Sequence, residues 1–190
     1  MTALYAYLLL LLSSCMTPPQ ASDRTGRRGF YWLISPLGGT IWLRHHPEHH
    51  PFQWSLAVGR YFYLRRGGYV APGGAVEYVH LDKVIAGSKE RARIQLLRTL
   101  AIVRVGIARR WIDAYGVLRA GATPFLGTDS LYVENFGKEP PRFGFSWGAG
   151  AGLLVRPSKI SGIGAEIIVG DDCPMRLLYA SPRLLFQIVF

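Results

Sequence analysis

Four histidines and a carboxylate crowd one short stretch, His45-His46-Pro47-Glu48-His49-His50. Imidazoles with a carboxylate suit zinc, nickel or copper. Adjacent histidines on a short loop point apart, and Pro47 stiffens the path between them. The expectation is a solvated loop in which His45, His46, His49 and His50 hold metal only weakly. Two other pairings have the makings of a base beside a nucleophile or its orienting acid: His80 with Asp82, and Ser130 with Asp129. Neither forms a His–Ser arrangement. Gly148-Ala149-Gly150-Ala151-Gly152 has the glycine density of a phosphate loop. It lacks the G-x-G-x-x-G spacing, and no helix pattern follows it. Its glycines are better explained as inward positions that make room in a narrow barrel. Asp171-Asp172-Cys173 is expected at a polar loop tip, with Cys173 a free thiol. Cys15 and Cys173 are too few for a disulfide framework. No cofactor-binding motif is present.

The elements that must position these residues are read from periodicity. Phe143, Phe145, Trp147, Ala149, Ala151, Leu153 and Val155 occupy every second position, with mostly glycine and serine between them. Ile163, Ala165, Ile167 and Val169 repeat the pattern, and Leu184, Phe186, Ile188 and Phe190 repeat it again. A sustained period of two means strand. One face is apolar and the other carries glycine and charge, which suits a barrel with lipid outside and polar groups inside. Hydrophobic content is 49%. Yet no apolar run approaches the ~18 residues of a spanning helix. A soluble lipocalin-like barrel would alternate in the same way and is the competing architecture. The net charge of +10 invites nucleic acid, but no basic helical face, zinc spacing or stacking motif supports that partner.

The chain divides into 1–15, 16–28 and 29–190. Ala3–Leu12 is an apolar export-signal core. Residues 16–28 are a polar linker. From Gly29 eight strands are expected. The first is 30–43, with a bend or bulge at Pro36-Leu37-Gly38-Gly39. The second is 52–64, where Arg60 interrupts an apolar face and implies a bulge near Gly59. The third, fourth and fifth are 69–80, 98–110 and 112–123. Residues 81–97 and 124–141 are read as long loops, and 170–182 as a loop before the last strand. Long and short connections therefore alternate. On this reading Arg156 and Arg183 sit at the short-turn rim, and Arg98 and Asp172 in the long loops.

Residues 29–190 resemble the small eight-stranded outer-membrane β-barrels of Gram-negative bacteria, the porin-family or OmpA/OmpX-like group. The resemblance rests on the alternating runs and on the terminal Leu184-x-Phe186-x-Ile188-x-Phe190. That terminal pattern is similar to the signal read by the barrel-assembly machinery, which the resemblance implies as a partner. Leu12-Ser13-Ser14-Cys15 resembles a lipobox, which makes Cys15 a lipidation candidate, although no Lys or Arg precedes the apolar core.

An eight-stranded barrel is barely wide enough for its own inward side chains. Glu77, Arg104, Asp113, Arg119, Arg142 and Glu166 are expected to turn inward and pair, because charge facing acyl chains is costly. The expected protein is an outer-membrane barrel with a plugged lumen, contacts to outer-membrane lipids, and a structural or surface-interaction role. A small-solute pore and a lipid-modifying enzyme are the alternatives, and the ligand of the long loops is unknown.

Overall fold

The computed structural model describes residues 29–38, 41–42, 52–64, 67–84, 91–109, 111–128, 142–157, 160–173 and 177–190. The export signal, the linker, Cys15 and the histidine loop lie outside the described residues. Ten β segments follow in order. They are β1 (Phe30–Gly38), β2 (Ile41–Trp42), β3 (Phe52–Arg60), β4 (Phe62–Tyr63), β5 (Gly68–Val84), β6 (Arg91–Ala108), β7 (Ile112–Thr128), β8 (Phe143–Val155), β9 (Ser161–Cys173) and β10 (Leu177–Val189). β1 with β2, and β3 with β4, are two halves of single strands, so the wall has eight. Each strand pairs antiparallel with its neighbour, and β1 pairs β10 to close the barrel. Closure removes both sheet edges, which a strand in lipid requires. The seam ends on Phe190, whose N–H donates to Phe30 O at 3.0 Å and whose ring meets Trp32 edge-on at 6.1 Å.

The register fixes the tilt. Partners followed once round run Tyr31, Gly59, Gly73, Ile102, Arg119, Gly148, Gly170, Tyr179 and Trp42. The path returns 42 − 31 = 11 residues further along, with the register shift in β1 included. At ~3.4 Å per residue and ~4.8 Å between strands, that stagger demands a tilt of about 40–45°. The outward row Phe145 to Val155 on β8 then rises about 25 Å along the barrel axis, the height of an outer-membrane apolar band. Phe52, Trp54, Phe143 and Phe145 ring one end of that band, and Phe62, Trp111 and Phe190 ring the other, all more than a third exposed. The end bearing Phe30 and Phe190 is called the terminal rim, and the opposite end the distal rim.

Four expectations about the strands are corrected. Residues 81–97 are not one long loop, because β5 runs to Val84 and β6 starts at Arg91. The distal loop expected from Pro124 instead opens with strand, since β7 continues to Thr128. The loop expected at 170–182 is strand at both ends, with Gly170–Cys173 in β9 and Leu177–Pro182 in β10. Asp and Pro are turn formers, but here Asp172 is held inside by an arginine, and Pro182 takes an outward position opposite Ile167. No bulge occurs near Gly59. Gly59↔Gly73 and Phe62↔Val70 keep one register, and Arg60 stays in phase on the outer face. Its guanidinium lies 5.2 Å from the Phe30 ring centre and 5.4 Å from that of Phe62. A long arginine at the girdle keeps its charge in the headgroup layer while its stem covers apolar surface. The bend near Pro36 is present as a register shift between Ser35 and Gly38.

Candidate functional site: the lumen charge network

Alternation sends every second side chain into a space that strand number keeps narrow. The buried set is strongly polar: Glu77, Arg98, Arg104, Asp113, Arg119, Arg156, Glu166, Asp172 and Arg183. Each comes from the parity of its strand. On β6, Arg98, Leu100, Ile102 and Arg104 are all inward. On β9, Glu166, Ile168 and Asp172 share a face.

The distal half centres on Glu77. Its Oε1 accepts from Arg183 Nη1 at 2.6 Å and, in a very short contact, from Arg119 Nη1. Its Oε2 accepts from Gln53 Nε2 at 3.2 Å and from Arg98 Nη1 at 3.4 Å. Arg98 also grips Asp172 with two donors, Nε to Oδ1 at 3.1 Å and Nη2 to Oδ2 at 2.5 Å. A bidentate guanidinium–carboxylate pair is among the stronger polar contacts. Ser146 donates to Asp172 and meets Thr123. Arg98 stacks 4.3 Å from the Tyr179 ring centre, and Arg119 Nη2 donates to Tyr179 Oη at 2.7 Å. Ser181 bridges Gln53 and Arg183. Seven of the eight strands are thereby tied across the lumen.

The middle and terminal parts are separate links. Tyr115 Oη donates to Glu166 Oε2 at 3.0 Å, and Arg104 Nε lies 3.6 Å from the same oxygen. Arg104 Nη1 donates to Tyr31 Oη at 2.7 Å. Nearer the terminal rim, Arg156 pairs with Asp113, and Tyr61 Oη accepts from Arg156 at 2.7 Å and from Gln187 at 2.6 Å. Tyr61 packs among Tyr31, Tyr63 and Tyr69. Leu33, Leu100, Ile102, Leu154, Ile168 and Val189 are buried among these polar groups.

Large inward rings need somewhere to lie, and glycine supplies it. Tyr31, Tyr69, Tyr115 and Tyr179 stand directly opposite Gly59, Gly106, Gly152 and Gly170. A Cβ at Gly152 would sit 2.5 Å from Tyr115 Cζ and Oη, and one at Gly170 would sit 2.6 Å from Tyr179 Oη. The glycines therefore seat tyrosines as well as Arg119, which lies over Gly148.

Of the residues expected inward, Glu77 meets Arg119, Glu166 meets Arg104, and Asp113 meets Arg156. Arg142 is a correction. It is exposed ahead of β8, where its backbone carbonyl accepts from Phe125 N. At the rim its charge stays in water and needs no partner inside. Arg98, Asp172, Arg156 and Arg183 were assigned to loops or rims, and all four are buried in the lumen. Strand parity carried forward from Arg104, Glu166, Leu154 and Leu185 would have placed them. Leu184, Phe186, Ile188 and Phe190 all face outward, each 43–51% exposed. Cys173 is a free, half-buried thiol in β9. His80 sits on the outward face of β5 opposite Phe52, so among the described residues no imidazole enters the lumen. No cluster of three or more metal-ligating side chains occurs among the described residues.

Comparison with solved structures gives the class. The chain is similar to the outer membrane enzyme PagL, at 14% identity and a TM-score of 0.51, over 84% of this chain and 98% of that one. It is similar to Ail, the attachment invasion locus protein of Yersinia pestis, at 15% identity and a TM-score of 0.50, over 85% and 98%. Ail in complex with the heparin analogue sucrose octasulfate aligns at 13% identity and a TM-score of 0.52, over 86% and 97%. No protein-family model and no curated protein sequence matches. The fold is that of the closed, eight-stranded antiparallel barrels of the Gram-negative outer membrane. At this identity the likeness extends to the fold alone, and the neighbours include both an enzyme and an attachment protein.

Proposed function

We propose that the protein is a non-catalytic surface-interaction protein whose barrel is a closed membrane anchor and whose distal end meets the partner. The observation that carries this reading is a three-stranded blade. β5, β6 and β7 have 17, 18 and 17 residues, against 13 in each of β8, β9 and β10. Among the described residues β3 pairs β5 as far as Phe52↔His80, while β5 and β6 continue to Val84↔Arg91. β8 stops at Pro124↔Phe143, while β6 and β7 continue to Ile94↔Thr128. The blade therefore rises beyond the barrel wall. Outer-membrane barrels keep short turns and both termini in the periplasm, which puts the blade outside the cell.

The enzyme reading needs a base beside a nucleophile at the distal rim. Ser146 is buried there, but its partner Asp172 is already neutralised by Arg98. The pore reading needs an open lumen, which the network fills. By sequence the distal segments hold Arg44, Lys83, Lys89, Arg91, Arg93, Lys138, Arg142 and Arg176 against Glu48, Asp82, Glu90, Asp129, Glu134, Glu139 and Asp171, so 8 − 7 = +1. A net charge so near zero gives little general attraction to sulfated polymers, so a heparin-like ligand is not the first expectation despite the fold shared with Ail.

Replacing residues 82–93 with Asn-Gly, which joins the paired Leu81 and Ile94 by a short turn, tests the blade. Cells displaying the wild type should adhere to at least one member of a panel of immobilised glycans and matrix proteins. The shortened variant should fall to background with its heat-modifiable gel shift unchanged. Equal adherence by empty cells, together with an altered lipid A mass spectrum, would instead make the protein an enzyme.

A further inference from the structure

The lipid face of the barrel is not uniform. An open groove of about 1210 Å³ runs obliquely across its outside. The register defines its walls. One wall is the outward row Val105, Gly116, Ala151, Ile167 and Pro182, and the other is Ile107, Ala114, Leu153, Ala165 and Leu184. The floor is the backbone of the row between, Gly106, Tyr115, Gly152, Glu166 and Arg183, whose side chains face the lumen. Adjacent outward rows on a strand are about 7 Å apart. Here Gly116 and Ala114 keep both walls low over β7, Ala151 lowers one wall over β8 and Ala165 the other over β9, so the channel is broad and open where an ordinary apolar face would be filled.

Strand tilt turns this row into a ramp. It begins at Ile107, one residue from the end of β6 at the terminal rim, and reaches Gly38 and Phe52 near the distal rim. Its mouth at the terminal rim is chemically distinct. Arg109 is exposed there, two residues beyond Ile107 on the same outward face, and its N–H donates to Ile112 O at 2.8 Å. Trp111, 53% exposed, stands beside it. A cation and an indole at the headgroup level above an apolar channel match an anionic head and its hydrocarbon tail.

We propose that this groove is a lipid site, holding one acyl chain of an anionic glycerophospholipid with its phosphate at Arg109. Hydrocarbon is the only material that meets this face within the bilayer. The position of the mouth selects the leaflet. Placing the phosphate in the inner leaflet rests on the orientation given under Proposed function. The low walls bury more of the chain than the surrounding convex wall does. One lipid is therefore retained where its neighbours exchange.

Native mass spectrometry of the protein extracted from its membrane in mild detergent tests this. The wild type should carry one anionic glycerophospholipid. Gly116→Leu with Ala151→Leu fills the channel from the lipid side, away from the lumen network. That variant should keep its heat-modifiable gel shift and lose the bound lipid about tenfold or more, in line with the lost apolar contact. Arg109→Gln should keep a lipid but lose the preference for anionic over zwitterionic heads. Full retention by the filled variant, or no lipid on the wild type, overturns the site and leaves the orientation untouched. Lipid A as the retained species overturns the inner-leaflet assignment and with it the orientation.

Discussion

Glu77→Gln should cost the barrel about 3–5 kcal/mol, the usual penalty for stranding one side of a buried ion pair. Glu77 is 1% exposed and is the carboxylate with which both Arg119 and Arg183 pair among the described residues. An amide keeps the shape and one acceptor oxygen but removes the charge. Two guanidiniums would then face each other across the distal lumen, with Arg98 drawn to Asp172 alone. The measurement is the urea midpoint of the folded, heat-modifiable band in detergent. A second change, Arg183→Gln in the same chain, should recover part of the loss, because neighbours in one network are not additive. A midpoint within experimental error of the wild type would mean that water enters the distal lumen and screens the arginines.

Gly152→Val should cost about 1–3 kcal/mol, the range for overfilling a packed interior. The new Cβ would fall 2.5 Å from the Tyr115 ring. Displacing it breaks the bond from Tyr115 to Glu166 and loosens Arg104 as well. The matched control is Gly127→Ala, where an added Cβ meets nothing within 4 Å. Removing the ring, in Gly152→Val with Tyr115→Ala, should return part of the stability. Urea titration of the four proteins checks the ordering. If Gly152→Val and Gly127→Ala behave alike, the glycine seats are not needed.

These two sites show what the sequence makes legible. The architecture was written in the outward faces of β8, β9 and β10. Lipid demands an apolar side chain at every second position over the height of a bilayer, and few other structures do. The interior was harder to read, because parity holds only while the strand continues, and strand ends are set by tertiary contacts. Asp171-Asp172 and Pro182 carry turn chemistry, so the loop was drawn too long, and Asp172 and Arg183 were left outside the lumen. A sequence cannot show Arg98 waiting to neutralise Asp172 from 74 positions away. The run 81–97 failed for a related reason. Its charge suggested a loop, although Arg91, Arg93 and Gln95 alternate with Ala92, Ile94 and Leu96. The glycines at 148 and 152 were assigned to making room, but the inward partners of 59, 106, 152 and 170 are tyrosines. Pairing each ring with a glycine needs the register, which emerges only when the barrel closes.

The network also bears on whether the barrel conducts ions. Buried ion pairs contribute little net stability relative to apolar packing. Five arginines and four carboxylates across a narrow lumen are better understood as filling it with groups that must stay paired. A lumen filled in this way should not let ions cross the wild-type barrel. Purified protein reconstituted in a planar bilayer should give no steady conductance in molar salt, and Glu77→Gln should introduce brief anion-selective openings. Large, stable conductance from the wild type would contradict the closed lumen and make a small-solute pore the function.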